Sequence, residues 1–490
     1  MGKGAGSGGE KKRSVSGMTN SRVTGLAGTE QQQEVRRLTL AEVAKHRTPE
    51  DCWMHLKGKV YDVSNWNDHP GGSVIFTHGG DDFTDIFSAF HPASAHKDLQ
   101  RFYIGELDES VMVPQRPNHN GFSVERQKEF EKGYRELRAK MIAAGLFTPN
   151  KLFYLYKVFS TLSIAAVAIY CVTQFNASWV MTLLGATIMG LFWQQCGWLA
   201  HDFLHHQVFK NRMYGDLMGH FIGNVLQGFS VAWWKTKHNK HHAVPNLLQS
   251  VEGANDGDPD VDTAPIIFWS LKMAESAKDS AFGRFMVTWQ AVFYFPVLFF
   301  ARIAWAQQSF SSVFGIFSIH ENVGINKAPV DKAKMQYPTL EKLGLAVHYS
   351  ALLYIMSHMP LAQALVFVLV GQTSCGLFLA LVFGLGHNGM AVYQADERPD
   401  FWKLQVSTTR NITSTPFVSF FCGGLEYQVD HHLFPSLPRH NLPKAHELVA
   451  SFCKEQGVTY HETDMVVGTK EVLSHLSEVA REFLTEFPAM

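Results

Sequence analysis

Residues 427–435 read YQVDHHLFP, and the adjacent histidines His431 and His432 raise the question of what they bind. Alone they say little, but two other stretches are as rich in histidine: HDFLHH at 201–206 and HNKHH at 238–242. Residues three or four apart lie on one face of a helix, so imidazoles with this spacing can converge on a metal ion. The three stretches together therefore predict a metal site that the fold assembles from distant parts of the chain.

A fourth stretch, GLGHNG at 384–389, contributes His387 at the end of an apolar segment. His206 is left out of the predicted ligands, because it would point away from the face that His201 and His205 share. Eight imidazole nitrogens are too many for one ion and suit two, and imidazole alone permits zinc, copper, iron or nickel. The predicted ligands are His201, His205, His238, His241, His242, His387, His431 and His432, with Asp202, Asn388 and Gln428 around them.

The composition indicates a protein that is only partly soluble. Charged residues make up 18% of the 490 residues and hydrophobic residues 46%, whereas soluble domains average about 25% charged residues. A mean hydropathy of −0.07 still requires a substantial soluble part. The net charge of −1 gives no reason to expect nucleic acid as a partner. Six cysteines without a CxxC pair argue against a disulfide framework and favour a reducing compartment.

Apolar stretches after residue 150 predict membrane helices, since about 20 such residues cross the hydrocarbon core. Lysines and arginines place residues 201–245 and 398–490 together on the cytosolic side. An even number of crossings must then separate these segments, so we expect the third stretch, which contains Gln290, Pro296 and Arg302, not to cross. The stretches are Val158–Phe175, Trp179–Ala200, Phe285–Ala306, Leu343–Met359 and Leu361–Gly386.

An HPGG motif at residues 69–72 lies in a block that runs from WMHLKGKVYDVSNW through GGDDFTDIFSAFH to FYIGEL. This block of about seventy residues resembles cytochrome b5. The resemblance implies that His69 and His91 bind one haem iron from opposite faces, with His78 and His96 as rivals for the second position. With both axial positions filled, the haem would carry electrons rather than bind O₂.

An electron-carrying haem next to a histidine-rich metal site indicates redox chemistry, which excludes zinc and favours iron. From about residue 38 the chain resembles the front-end fatty-acid desaturases, membrane enzymes with an N-terminal cytochrome b5 domain and three histidine boxes. The boxes here are HDFLH, HNKHH and QVDHH, with Gln428 in place of the usual first histidine of the third box. The sequence around them, including FWQQCGWLAHDFLHHQVF and FCGGLEYQVDHHLFP, is most similar to Δ6-type enzymes.

The resemblance implies a multidomain fold in which a small α+β haem domain precedes an all-α integral membrane domain with about four transmembrane helices. Thr39 is expected to cap a short helix, and Lys59–Val63 to form a strand. The expected segments are a disordered tail at 1–35, the haem domain at 36–110, a linker and amphipathic helix at 111–150, the desaturase domain at 151–460 and a cytosolic tail at 461–490.

The implied reaction uses O₂ and electrons from haem b, through a di-iron centre, to place a cis double bond at Δ6 of C18 polyunsaturated chains. Implied partners are NADH-cytochrome b5 reductase and an acyl chain on CoA or phospholipid, at the endoplasmic reticulum membrane with the histidines and both termini in the cytosol. A tunnel for the acyl chain has candidate walls in Trp193, Trp198, Trp233, Trp234 and Tyr427, whereas the run DGDPDVD at 256–262 is interpreted as a structured turn.

Alternatives remain open at this point. A Δ5, Δ8 or sphingoid-base desaturase would carry the same fused domain and the same boxes. A hydroxylase would use these boxes with a different outcome. A membrane haem protein that only carries electrons would be a protein of another class.

Overall fold

The computed structural model describes residues 35–108, 124–250, 256–315 and 335–488. The predicted disordered tail, apart from Val35, and most of the predicted linker lie outside the described residues. The predicted helix after that linker forms α4, which runs over Val124–Ala143.

The first domain is a small α+β unit built on a five-stranded sheet, with strand order β1-β5-β4-β3-β2. The predicted cap is confirmed, because the Thr39 hydroxyl accepts a hydrogen bond from the Glu42 amide at 3.1 Å. The predicted strand is confirmed as β4. The elements are β1 (Arg37–Leu38), α1 (Leu40–Val43), β2 (Arg47–Thr48), β3 (Asp51–Leu56), β4 (Lys59–Asp62), a 3₁₀ helix (Gly72–His78), α2 (Thr84–Phe90), α3 (Ala95–Leu99) and β5 (Tyr103–Leu107).

Two hydrophobic clusters form the core of this domain, and the domain's own residues supply both. One cluster lies between the sheet and α2, around Met54, Tyr61 and Phe87. The other joins Val43 and Val60 on the opposite side of the sheet. Neither cluster includes a residue from beyond 107, so the domain's own residues form its core, while Val74 and Ile86 also pack against Ala243, Val244 and Leu247 of the helical domain.

The rest of the described chain is almost entirely helical. Its helices are α5 (Lys151–Gln174), α6 (Trp179–Leu204), α7 (Arg212–Gly219), α8 (Val231–Ala243), α9 (Leu271–Ala274), α10 (Ala281–Leu298), α11 (Ala301–Phe314), α12 (Pro338–Met356), α13 (Leu361–His387), α14 (Phe401–Thr408), α15 (Pro416–Cys422), α16 (Gln428–Leu433), α17 (Leu442–Glu455) and α18 (Met465–Glu486). A π-helix at His220–Gln227 precedes α8, and a short parallel pair joins β6 (Asn411–Ile412) to β7 (Glu462–Thr463).

Helix α6 packs along both α5 and α13, so the first, second and last of the predicted apolar stretches share one bundle. The approach to α13 is close at Gly190, where an added Cβ would lie 2.9 Å from the carbonyl oxygen of Gly371. Any larger residue at this position would separate the two helices. Helix α13 ends at the predicted ligand His387, and α6 ends next to the predicted ligand His205.

The prediction of about four transmembrane helices is not confirmed. Among the described residues, α5 and α13 are long and apolar enough to span a membrane, and α10 with α11 would make a third if that pair is one span. The pair bends by 71°, within the stretch predicted not to cross. Gln194 and Gln195 lower the hydropathy of α6, and Glu341 and Lys342 lower that of α12.

The segment predicted as a C-terminal tail contains the long helix α18, which packs against α10. Its apolar side is buried there, with Leu476 and Phe483 fully covered. This helix closes one side of the helical domain.

Because its core is self-contained, we expect a fragment of residues 36–110 to fold in water without detergent and to bind haem. Thermal unfolding should be cooperative, and the haem should give a low-spin, six-coordinate spectrum that His69→Ala abolishes. A matched Val60→Asp fragment should fail to fold, because Val60 is fully buried in the sheet.

Two outcomes would contradict this expectation. The fragment would aggregate or unfold without a transition if its core needed the helical domain. A spectrum that survives His91→Ala but not His96→Ala would give the second iron ligand to His96.

Candidate metal centre and haem site

The eight predicted metal ligands come from the C-terminal ends of α6 and α13 and from the helices α8 and α16, which meet at one site. His201 lies in the last turn of α6 and His205 is the residue that caps it. Helix α8 carries the second box, α13 ends on His387, and the short helix α16 carries the third box. Seven of these histidines are buried, and His205 is half-buried.

The structure brings all eight together, in two groups whose ring nitrogens lie within 4.8 Å of one another. The Nε2 atom of His238 is 2.8 Å from that of His205 and 3.0 Å from that of His242. In the second group, the Nε2 atoms of His241 and His387 are 3.2 Å apart. The first group is His201, His205, His238, His242 and His431; the second is His241, His387 and His432.

The chemistry of this set fits metal ions. The Nε2 atoms of His201 and His432 are buried and have no hydrogen-bond partner among the described residues, which is costly for a polar atom unless a ligand occupies the space. Burial lowers the pKa of His205 to about 3 and holds the pKa values of His238, His242 and His431 well below the usual value. These rings are therefore neutral at pH 7, which is the form that binds a metal.

Side chains behind the second group hold its rings in place. The Asp258 carboxylate lies 2.9 Å from His241 Nδ1, and the Gln405 amide oxygen lies 2.9 Å from His432 Nδ1. With Nδ1 engaged in this way, each ring presents Nε2 to the centre.

Sequence reasoning missed both of these residues. Asp258 belongs to the run interpreted as a structured turn, and its density of carboxylates was the signal that could have found it. Gln405 lies in FWKLQVST, which carries no such signal.

Of the three residues predicted to lie around the metal ligands, one contacts a ligand histidine directly and two have other partners. Gln428 reaches the centre, with its Nε2 atom 2.8 Å from His387 Nε2. Asp202 forms an ion pair with Arg439, and its 3.6 Å distance from His201 Nδ1 is too long for a hydrogen bond. Asn388 donates to the Tyr294 hydroxyl at 3.2 Å rather than to a ligand histidine.

In the first domain, His69 and His91 face each other with ring centroids 6.0 Å apart. Each Nδ1 lies 3.2 Å from a backbone carbonyl oxygen, that of Gly72 for His69 and that of Phe87 for His91, so Nε2 is the atom each ring would offer to iron. Burial and the neighbouring His69 lower the pKa of His91 to about 3, which keeps this ring neutral. The pair fits the two axial positions of a haem.

The rival haem ligands have other contacts. His78 is buried, and its Nδ1 atom lies 3.0 Å from the Thr77 hydroxyl. His96 packs its ring 4.9 Å from that of Phe87.

A cavity of about 500 Å³ adjoins the metal centre and reaches His238, His241 and His387. Its wall is mostly apolar and aromatic, with Trp233, Trp234, Trp269, Tyr294, Trp305 and Phe383 among its residues. Trp233 and Trp234 therefore match their expected place in a tunnel wall. Trp193, Trp198 and Tyr427 do not line this cavity; Trp193 and Trp198 are buried in the helical core instead.

Comparison with known proteins agrees with this geometry. Residues 177–464 match the family Fatty acid desaturase, and residues 39–108 match the Cytochrome b5-like Heme/Steroid binding domain. The chain is 40% identical to an Acyl-lipid (9-3)-desaturase of Physcomitrium patens, over 90% of this chain and 78% of that protein. It is 33% identical to the Delta(6)-fatty-acid desaturase fat-3 of Caenorhabditis elegans, over 87% of this chain and 94% of that protein.

A Delta(8)-fatty-acid desaturase of Euglena gracilis is 31% identical, over 87% of this chain and 95% of its own length. The names of the three relatives differ in the position of the double bond but agree on the type of reaction. The matched domains imply haem in the first domain and two iron ions at the histidine groups of the second. The chain belongs to the front-end fatty-acid desaturases, membrane-associated oxidoreductases with a cytochrome b5 domain fused to the N-terminus of the desaturase domain.

Proposed function

We propose that the protein inserts a cis double bond at Δ6 of C18 polyunsaturated acyl chains, converting linoleic to γ-linolenic and α-linolenic to stearidonic chains. The observation that best supports desaturation is the apolar cavity that reaches His241 and His387. The Delta(6) name of the nematode relative, at 33% identity, supports the position. Δ8 desaturation is the second candidate, because the Euglena relative bears that name at 31% identity.

In this proposal His201, His205, His238, His242 and His431 hold one iron, and His241, His387 and His432 hold the other. Gln428 lies beside the second iron, where a neutral amide is a weaker ligand than imidazole. When bound, the iron pair supplies the activation of O₂. His69 and His91 hold the haem.

The residues of the cavity position the chain and exclude water. Neighbouring methylenes are chemically alike, so the choice of carbon depends on how far the chain enters rather than on its reactivity. Aromatic walls hold the methylenes by apolar contact, while Lys237, Asn246 and Asn388 provide polar groups on the same wall. Overall, two C–H bonds break and one C=C bond forms; two electrons and two protons from the substrate, with two electrons delivered through the haem and two protons from water, reduce O₂ to two waters.

We also propose the electron donor of the enzyme, its location in the membrane and the form of its acyl substrate. NADH-cytochrome b5 reductase supplies the electrons to the haem domain at 36–110, and the desaturase domain at 151–460 lies in the endoplasmic reticulum membrane with its histidines in the cytosol. The acyl-lipid name of the moss relative favours a phospholipid-bound chain over acyl-CoA.

A yeast host that expresses the protein tests the double-bond position. Fed C18 Δ9,12 acid, it should make γ-linolenic acid, and fed C18 Δ9,12,15 acid it should make stearidonic acid, both measured by gas chromatography and mass spectrometry of fatty-acid esters. A host with the His431→Ala variant is the control. If only C20 Δ11,14 acid gains a double bond, at Δ8, the second candidate is correct; if only C20 Δ8,11,14 acid does, at Δ5, neither position holds.

Alanine at any of the eight ligand histidines should lower desaturation by more than about 100-fold, since loss of a ligand removes the redox centre. Iron content of the purified protein should fall in parallel, which separates loss of metal from loss of substrate binding. His206→Ala is the matched control, because His206 adjoins His205 but belongs to neither group. Full activity in His387→Ala would remove that residue from the ligand set.

Gln428→His should cause a loss of activity of at least about tenfold, because it replaces the side chain next to His387 with a competing ligand. Gln428→Asn, which keeps the amide but shortens the side chain, should also fall, and less steeply. Product yield in the yeast host and iron content together measure the effect. Unchanged activity in the histidine variant would show that the amide has no part in the centre.

A further inference from the structure

The haem domain and the helical domain meet along a set of arginine contacts. Arg135 of α4 donates to both carboxylate oxygens of Asp85 in α2, at 2.7 and 3.0 Å. Three residues further along α4, Arg138 donates to the carbonyl oxygen of Ser88 at 2.7 Å. One face of α4 therefore holds one side of α2.

Two more arginines hold other parts of the haem domain. Arg212, the first residue of α7, donates to the carbonyl oxygen of Phe90 at 2.7 Å. Arg398 donates to the Thr77 carbonyl oxygen and pairs with Asp81, at the end of the 3₁₀ helix that follows the HPGG loop. Four arginines from three separate parts of the helical domain thus reach the haem domain.

Between these arginines, the haem domain rests on α8, the helix that carries the second histidine box. Asn239 of α8 donates to the carbonyl oxygen of Gly71, two residues from His69. The ring of Phe90, next to His91, lies 6.0 Å from the ring of His242 in an edge-on arrangement. Both haem ligands therefore have a chain neighbour in contact with α8.

We propose that Arg135, Arg138, Arg212 and Arg398 form a docking clamp that holds the haem domain on α8, with Phe90 against His242. Electrons then arrive at the metal centre through His242, a member of the five-histidine group. The inference rests on the proposed transfer from haem to metal centre. In each transfer one electron leaves ferrous haem, which becomes ferric, and one ferric ion of the centre becomes ferrous.

The chemistry of the clamp explains why several arginines are needed. An exposed ion pair contributes little to stability, so one pair would not hold a domain. The Arg135–Asp85 pair is bidentate, and because the Asp85 side chain is only 11% exposed, solvent screens it less than a surface pair. The other contacts end largely on backbone carbonyls, which fix an orientation as well as a distance.

Hydrogen exchange measures the docking itself, without reference to desaturation. In the full-length protein, Arg135→Asp should speed amide exchange in Gly72–His78 and Thr84–Phe90, the segments that face the clamp. The swap Asp85→Arg with Arg135→Asp should restore protection. Lys132→Glu is the control, because Lys132 lies on α4 and its ion pair is with Glu136 of the same helix.

Stopped-flow absorbance at the haem band then measures the transfer. After reduction of the haem, with substrate and O₂ added, Arg135→Asp and Asp85→Arg should each slow haem reoxidation about tenfold. The double swap should return the reoxidation rate to within about threefold of that of the unaltered protein. Phe90→Ala should slow reoxidation with exchange unchanged, and Phe90→Tyr should retain the rate.

The clamp is wrong if the single variants keep native exchange and native reoxidation, or if the swap restores neither. The contact at His242 is wrong if Phe90→Ala reoxidises at the native rate. If the unaltered protein does not reoxidise its haem at all, the proposed function fails, and the exchange measurement still decides the docking.

Discussion

The helical domain depends on holding imidazole rings with their Nε2 atoms about 3 Å apart inside the protein. The distances of 2.8 Å between His205 and His238 and of 3.2 Å between His241 and His387 leave these nitrogens facing one another. One such pair can share a proton as a hydrogen bond, but eight convergent rings cannot all do so. A cation between the rings removes this conflict, and the helices must end at one level to supply it with ligands.

Small residues bring those helix ends together. Gly190 allows α6 to touch α13 through its backbone, which aligns the end carrying His201 with the end carrying His387. Gly386 allows Gln428 to approach the end of α13 closely, because an added Cβ at this position would lie 3.0 Å from Cγ of Gln428. The glutamine in the third box and the glycine before His387 are thus two parts of one contact.

The spacing of the histidines predicted which residues converge, but not how they divide between two groups. Successive residues on a helix turn by 100°, so His241 and His242 point in different directions, and within the second box His238 shares its group with His242 but not with His241. The partners Asp258 and Gln405 are 17 and 27 residues away from the histidines they hold, beyond any local pattern. The apolar stretches also could not predict the number of spans. Helix α6 carries Gln194 and Gln195, which lower its hydropathy, and their side-chain amides donate to the backbone carbonyls of Phe421 and Phe420.

Helix α8 is the element that joins the two redox sites. It has thirteen residues and carries three of the proposed metal ligands, and between the first two of them stands Asn239, which donates to the carbonyl oxygen of Gly71 in the haem domain. A shift of this helix would move proposed ligands of both histidine groups and the contact with the haem domain together. Its first turn is fixed by Glu341, whose carboxylate accepts from the amides of Val231 and Ala232 at 3.2 and 2.7 Å. The buried carboxylate that lowers the hydropathy of α12 therefore anchors the helix on which electron delivery and metal binding both depend.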